Sequence, residues 1–410
     1  MLIELRYNQK ELLTVRLKDD PASVKELESS GSSIPQRQLD EELRKNITME
    51  KLKMLLDLKK PVVVVVDDQT RKTPVKEALR HLWFNFSKLG FSRNQITILV
   101  ANGTHRFMTD VEMKSKLGDF PQEFHVEQHN CYKQNSLVAS KDGIPIYLNN
   151  TLLKSSNVIG IGSVLAHKFS GWSGGSKIIS PGVCGYETVF LSHKRSALQE
   201  IVSPGQKQNW FRAFIDYVGR VANLKLLINF VMGASGPLSV FAGEPQKVFD
   251  QAVREAKRFL CHKLENKYDV TVVSAYPSTK DLWQTGKSFY LGDLTTRDEG
   301  HIIVVSSLED GFGDHPKFAE FLSYDLRDLE AIIDQDSVED PLAIVAAIAV
   351  KRITLKKRIT VVTKGNNIPC INIKNFEIVP TFPEKILKNR SVVILKDSYV
   401  LPVAKEGSKQ

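Results

Sequence analysis

The chain has 410 residues, 42% of them hydrophobic and 25% charged. At about 100–200 residues per domain this predicts two or three globular units, and that apolar fraction excludes disorder throughout. The formal net charge of +9 opens nucleic acid, a membrane surface or an acidic substrate as partners. Its cations lie in short groups such as Lys59-Lys60, Arg71-Lys72 and Lys356-Lys357-Arg358, with no polybasic arm, RNP-type aromatic signature or zinc knuckle, which disfavours nucleic acid.

In chain order, the first 30 or so residues read as polar and loosely held. Pro61 to Val66 is a buried-type strand, followed by DDQTRKTP and a helix from Val75 to Leu89 with apolar residues at Val75, Ala78, Leu79, Leu82, Trp83, Phe86 and Leu89. Thr73 reads as its N-cap, Pro74 as its first residue and Gly90 as the residue after its C-cap. Ile96 to Ala101 is a second strand, ending in Asn102-Gly-Thr-His-Arg106. His125 and His129 stand i,i+4 and could chelate a metal on a helix, although the surrounding residues read as a surface segment. Asn157 to Ile161 is a third strand, running into a glycine-rich loop. Lys247 to Leu264 reads as an amphipathic helix, after which Val270–Val273, His301–Val305, Ile359–Val362 and Val392–Leu395 open a second set of strands, with a helical segment from Pro341 to Arg352. The expected fold is α/β: two α/β domains with partly parallel sheets, residues 1–265 and 266–410, the final segment free to pack back on the first domain.

Cys131, Cys184, Cys261 and Cys370 show no CxxC spacing, so neither a disulfide framework nor a thiolate zinc site is indicated. The start has no apolar signal region, and the longest apolar stretch, Leu342 to Val350, is short of the roughly 20 residues a spanning helix needs. A soluble cytoplasmic protein is expected.

The most informative stretch is AHKFSGWSGGSKIISPGVCG, residues 166–185. Its glycines and serines suit a loop whose backbone N–H groups approach an anion. It is not a Walker A loop, because Ser176 and Ile178 stand where that motif needs glycine and a hydroxyl. His167 lies ten residues before Lys177 and His193 sixteen after it. Imidazole serves as acid, base or metal ligand, and a lysine in a dry pocket as a covalent attachment site. Each histidine taken singly is more simply a buried or solvated one, but His105 at a neighbouring strand end makes three converge. Spacing alone does not assign their roles. Arg71 could pair a carboxylate, with Asp68 fixing its orientation; an internal Asp–Arg pair bracing the turn is the other reading. Gln284 and Lys287 share one helix face and could close over a ligand. Asp310-Gly-Phe-Gly-Asp-His315 reads as a turn with a possible ligand, His81, His262 and His301 lack converging partners, and Cys184 reads as a packing residue.

The set DDQTRKTP, NGTHR, AHKFSGWSGGSKIISPGV, SHK and WQTGK resembles the lactate racemase family, the 2-hydroxyacid racemases and epimerases that use a nickel-pincer nucleotide. The similarity runs through nearly the whole chain in the same order. It implies an active site in the cleft between two α/β domains and a cofactor, a pyridinium-3,5-bisthiocarboxylic acid mononucleotide carrying nickel, covalently linked to Lys177. By the same resemblance His193 is the protein's nickel ligand, beside two sulfurs and a carbon of the cofactor. His105 and His167 are the paired acid/base residues, and Arg71, Gln284 and Lys287 hold the substrate. Asp68 supports Arg71 and is grouped with the cofactor-binding residues, as are Ser173, Gly174 and Gly175 at its phosphate. The C2–H of a hydroxycarboxylate is a very poor acid, so the implied route is hydride transfer from C2 to the cofactor while a histidine takes the hydroxyl proton. The implied partners are a small 2-hydroxyacid and the proteins that make the cofactor. The family's lactate-specific members carry a second-domain tryptophan, whereas the corresponding region here reads Pro341-Leu-Ala-Ile-Val345. That departure points to a bulkier or more polar 2-hydroxyacid, sugar acids included, with Trp172 a further residue that could reshape the pocket. The alternative is a non-catalytic nucleotide- or phosphate-binding protein using the glycine loop, which has no use for the three histidines.

Overall fold

The computed structural model describes residues 1–199, 202–335, 339–365, 368 and 371–404. Cys370 and all but two of the last eight residues lie outside that set. The chain divides into two compact units, Gly31–Ser196 with Gly205–Phe259, and Met1–Ser30 with Ala197–Pro204 and Leu260–Gln410. These are not two consecutive segments meeting at residue 266: the chain's first thirty residues belong with its last 150.

The first of these units is built on a six-stranded sheet. Its spatial order is Gly236–Gly243, Leu224–Gly233, Asn157–Val164, Val62–Asp67, Ile96–Ala101, His125–Gln128, and every pairing is parallel except that of Gly236–Gly243. All six residues of Val62–Asp67 are buried, as a central parallel strand requires. Its neighbours in space are Ile96–Ala101 on one side and Asn157–Val164 on the other, so the chain winds outward in both directions from its carboxyl end. Such a switch of winding leaves a crevice where loops meet above the strand ends. The helix Val75–Lys88 buries Ala78, Leu79, Leu82 and Phe86 at helical spacing. Thr73 does not cap it: its hydroxyl donates instead to Asp67 Oδ2 at 2.5 Å, and Pro74 occupies the cap position.

The second unit carries a seven-stranded sheet. Its order is Ile371–Ile373, Phe376–Val379, Arg358–Val362, Thr296–Val305, Tyr268–Ser274, Ser391–Leu395, Ser23–Leu27, parallel but for the first strand. The first residues are not loosely held. Leu2–Arg6 and Leu12–Arg16 form an antiparallel hairpin with strictly alternating burial. Its inward residues Ile3, Leu5, Leu13 and Val15 join Val272, Ile303 and Ile394 in one core. The polar residues that suggested looseness are the outward half of a period-two pattern.

Two other local expectations change. His125–Gln128 is a strand, so His125 and His129 do not share a helix face. His129 is 1% exposed and its Nε2–H donates to the Cys184 carbonyl at 2.9 Å while Nδ1 accepts from Asn149. Burial pushes its pKa down to about 4, against the opposing carbonyl bond. The amphipathic helix spans Pro245–Leu260, and Cys261–Leu264 is a strand paired with Leu401–Ala404. The final segment therefore packs within its own unit.

Candidate active site

Three loops meet at the carboxyl edge of the six-stranded sheet, and backbone hydrogen bonds join two of them. Gly103 N–H donates to the Gly182 carbonyl at 2.9 Å, and the 102–106 turn closes when His105 N–H donates to Asn102 O at 2.9 Å. His105 Nδ1 sits 2.7 Å from Asp68 Oδ2, with Asp68 4% exposed. Burial alone would raise the Asp68 pKa. The His105 charge and hydrogen bond, followed by Arg71 and Thr70, overcome it and hold the carboxyl well below its usual range. Asp68 is thus an anion that fixes His105 with Nδ1 protonated and leaves the Nε2 lone pair as a base.

Asp68 reaches Arg71 through an intermediary that the sequence pattern did not single out. Thr70 Oγ1 donates to Asp68 Oδ1 at 2.6 Å and accepts from Arg71 Nη1 at 2.9 Å. Neither Asp68 oxygen is paired directly with Arg71, so the expected direct brace is replaced by a relay. A second residue that escaped notice is Lys116, on the helix Asp110–Leu117. Its buried ammonium lies 2.6 Å from Asp67 Oδ1 and donates to the Arg71 carbonyl at 2.7 Å. A lysine on an amphipathic helix gives no sequence signal that it turns inward.

His167 stands on a two-residue strand paired with Gly171–Trp172. The N–H groups of Phe169 and Ser170 aim at its Nδ1, at 3.3 and 3.2 Å. Nδ1 therefore carries the lone pair, and the proton of a neutral ring sits on Nε2. The two histidines assigned to acid/base work are held in opposite tautomers.

The glycine loop carries Lys177 at a 3-10 turn, Gly175–Ile178. Of the three residues expected to cradle an anion, Ser173 and Gly175 use their N–H groups on other partners. Ser173 N–H donates to the Leu165 carbonyl at 2.7 Å, its hydroxyl serves Leu165 and Ser163, and Gly175 N–H donates to Asn229 Oδ1 at 2.8 Å. Gly174 has φ +79°, and a Cβ there would lie 2.5 Å from Val164. These residues shape the turn that delivers the lysine. Arg212, 4% exposed, holds the turn from beneath by donating to the Trp172 and Gly174 carbonyls. Trp172 itself is fully buried and its indole N–H donates to Gly205 O at 2.8 Å, so it packs the loop and walls no pocket.

No hydrogen bond or ion pair holds the Lys177 ammonium among the described residues. Burial, then the charges of Arg71 and Arg212, lower its pKa to about 7, which leaves a substantial fraction as free amine at neutral pH. His193 lies on the helix Tyr186–Gln199. Its Nδ1–H donates to the Val189 carbonyl at 2.8 Å, and its ring packs edge-on against Phe211 with centroids 4.8 Å apart. Burial and then Lys177 lower its pKa to about 4, opposed by the Val189 bond. It is a neutral imidazole, oriented by its second nitrogen as metal-binding histidines are, with Nε2 as the donor atom. Among the described residues no three His, Cys, Asp or Glu gather into a metal cage.

In the other unit Gln284 and Lys287 fall on one face of the helix Leu282–Thr295, capped by Asp281, with Lys287 Nζ 2.7 Å from Gln284 Oε1. The 310–315 turn closes beside this helix. His315 Nδ1 lies 2.7 Å from Asp340 Oδ1, and its ring stacks on Trp283 with centroids 4.0 Å apart. Cys184 is fully buried, and burial pushes its thiol up to about 12, consistent with packing. No helix among the described residues is long and apolar enough to cross a membrane.

Residues 7–203 match the family model for the lactate racemase N-terminal domain. The chain is 25% identical over 280 residues to the lactate racemase of Thermoanaerobacterium thermosaccharolyticum, an alignment covering 66% of this chain and 65% of that protein, just under two thirds of its length. It is 24% identical over 328 residues to the lactate racemase of Lactiplantibacillus plantarum, covering 76% of each. The fold is similar to that of the lactate racemase apoprotein of T. thermosaccharolyticum, with TM-score 0.84 and 22% identity over 99% of this chain and 100% of that one. A Thermotoga maritima structural-genomics protein aligns with TM-score 0.70 and 19% identity over 92% of this chain and 100% of that one.

Proposed function

We propose that the chain is a member of the lactate racemase family, whose N-terminal domain model matches residues 7–203, and a cytoplasmic isomerase, a racemase or epimerase of a 2-hydroxycarboxylic acid. The pairing of a partnerless Lys177 amine with a neutral, oriented His193 carries this reading. The donor set fits a lysine-linked nickel-pincer nucleotide: Lys177 would carry it covalently, His193 Nε2 would ligate its metal, and the remaining donors would come from the group itself. When bound, such a group supplies a hydride acceptor. Everything else falls to the protein.

Arg71, held by Thr70, binds the substrate carboxylate, with Gln284 and Lys287 assigned to the same substrate. His105, its Nδ1–H held by Asp68 so that Nε2 carries the lone pair, would take the hydroxyl proton of one enantiomer. His167, whose Nε2 carries the proton, would be the paired group for the other enantiomer, donating that N–H to the substrate oxygen. A flat 2-oxoacid would be open on either face, and Arg71 would retain it by its carboxylate. The absence of a tryptophan in Pro341–Val345 favours a substrate larger or more polar than lactate. The rival reading, a phosphate-binding loop without catalysis, loses support because Ser173 and Gly175 already spend their N–H groups on Leu165 and Asn229.

The protein is to be made together with cofactor-building enzymes and the peptide containing Lys177 weighed. A mass increase with bound nickel is expected, followed by interconversion of enantiomers in a panel of 2-hydroxyacids. An unmodified lysine and no nickel, where a lactate racemase is loaded, overturns the proposal.

A further inference from the structure

The strands Thr296–Val305, Arg358–Val362 and Phe376–Val379 are side by side in the seven-stranded sheet, and such parallel strands are ordinarily apolar throughout. Here a polar row crosses all three. His301 Nε2 lies 2.7 Å from Thr360 Oγ1, which lies 2.6 Å from Glu377 Oε1. A carboxylate only accepts, so the threonine hydroxyl donates to Glu377 and must accept from His301 Nε2–H. His301 therefore has converging partners that its strand-start position in the sequence did not reveal. It is 7% exposed and Thr360 fully buried. Burial, opposed by Glu377 and reinforced by Arg358 and Arg390, lowers the His301 pKa to about 4, so the row adds one negative charge at neutral pH.

This row lines a cavity of about 980 Å³ whose mouth is basic. Lys356 faces Asp298 at 3.7 Å and Lys357 is closed onto Asp293. The exposed side chains of Arg358, Lys374 and Arg390 have neither hydrogen bond nor ion pair among the described residues. Lys356-Lys357-Arg358 is the densest cation run noted in the sequence, and the catalytic reading leaves it unused. Leu355, 67% exposed, and Ile373 and Ile386 give the same cavity apolar surface.

We propose that this cavity is a binding site for a phosphate-bearing small molecule of nucleotide size. Arg358 and Arg390 would take the phosphate, since the guanidinium fork matches its geometry. Glu377 and Asn372 would accept from and donate to hydroxyls, and Leu355 with Ile373 would lie against the ligand's ring. The volume is at the upper end of small-molecule pockets. The site shares no residue with Arg71, His105, Lys177, Gln284 or Lys287 and stands apart from the proposed reaction.

The test is calorimetric titration of the protein at fixed ionic strength with AMP, ADP, ribose 5-phosphate, adenosine and inorganic phosphate. At least one organic phosphate is expected to bind saturably, about tenfold or more tighter than adenosine or inorganic phosphate. Arg358→Gln and Arg390→Gln, both at exposed positions that leave folding intact, should each weaken it by about tenfold, and Lys177→Ala should leave it unchanged. The proposal is overturned if no organic phosphate binds, if inorganic phosphate binds as tightly, or if binding ignores both arginine variants.

Discussion

Among single residues Asp68 does the most. It keeps its charge despite burial and spends it on the His105 imidazole and, through Thr70, on Arg71. Asp68→Asn keeps the shape but removes the anion that stabilises protonated Nδ1. The loaded enzyme is expected to lose about 10⁴-fold in kcat, the scale of the same change behind a catalytic histidine, while the Lys177 adduct and bound nickel stay at normal levels. Activity within tenfold of the parent refutes the orienting role. The residue types at the proposed site drew notice in the sequence, His105, His167, Lys177 and Arg71 by the loops and turns they occupy and His193, on a helix, by its spacing from Lys177. Their connections were not, because which nitrogen of a histidine bears the proton depends on partners far off in sequence. Asp68 and His105 are an example, 37 positions apart.

At the scale of elements, strands were easier to recognise than the ends of helices. Val62–Asp67 and Ile96–Ala101 announce themselves through unbroken β-branched and apolar runs. The boundary after Leu260 did not, because CHKL continues a helical pattern and becomes a strand only by pairing with Leu401–Ala404. The helix Asp110–Leu117 shows what such placement adds: it exists to bring Lys116 under the Arg71 loop. Lys116→Met leaves Asp67 buried with only Thr73 as donor, and removing one partner of a buried pair costs about 3–5 kcal/mol. A melting temperature lower by about 5–10 °C and a raised KM for the hydroxyacid are expected, with part of the loss recovered when Asp67→Asn is added. An unchanged KM would show that the loop holds Arg71 without it.

For the whole molecule, the two units share one acid weakness. His129 in one and His301 in the other are buried neutral with pKa values near 4, against about 6.5 in an unfolded chain. Between these limits the unfolded state binds more protons, so stability rises with pH and is lost on acidification from about 6.5 to 4. Each histidine contributes up to about 3 kcal/mol of that slope. Urea midpoints should fall steadily below pH 6.5 and, because buried Lys177 titrates near 7 instead of its ordinary 10.5, keep rising gently above pH 7; His129→Gln should shallow the acid fall for its own unit. Midpoints constant to pH 4.5 would contradict the burial of both rings. The α/β class and the count of two units were readable from length and the alternation of strand and helix patterns. Their membership was not, because nothing local in Leu2–Leu27 says that its partners lie beyond residue 260.

That membership has a consequence for synthesis. Ser29 waits for Asp397, 368 positions later, to accept the two hydrogen bonds it donates, and Ser23–Leu27 waits for Ser391–Leu395 to become an edge strand. At about 5–20 residues per second the ribosome holds the hairpin's apolar face without its final partners for tens of seconds, while the six-stranded unit is already complete. The nascent chain thus carries an unsatisfied sticky end through most of its own translation, and it is there that a chaperone would be needed.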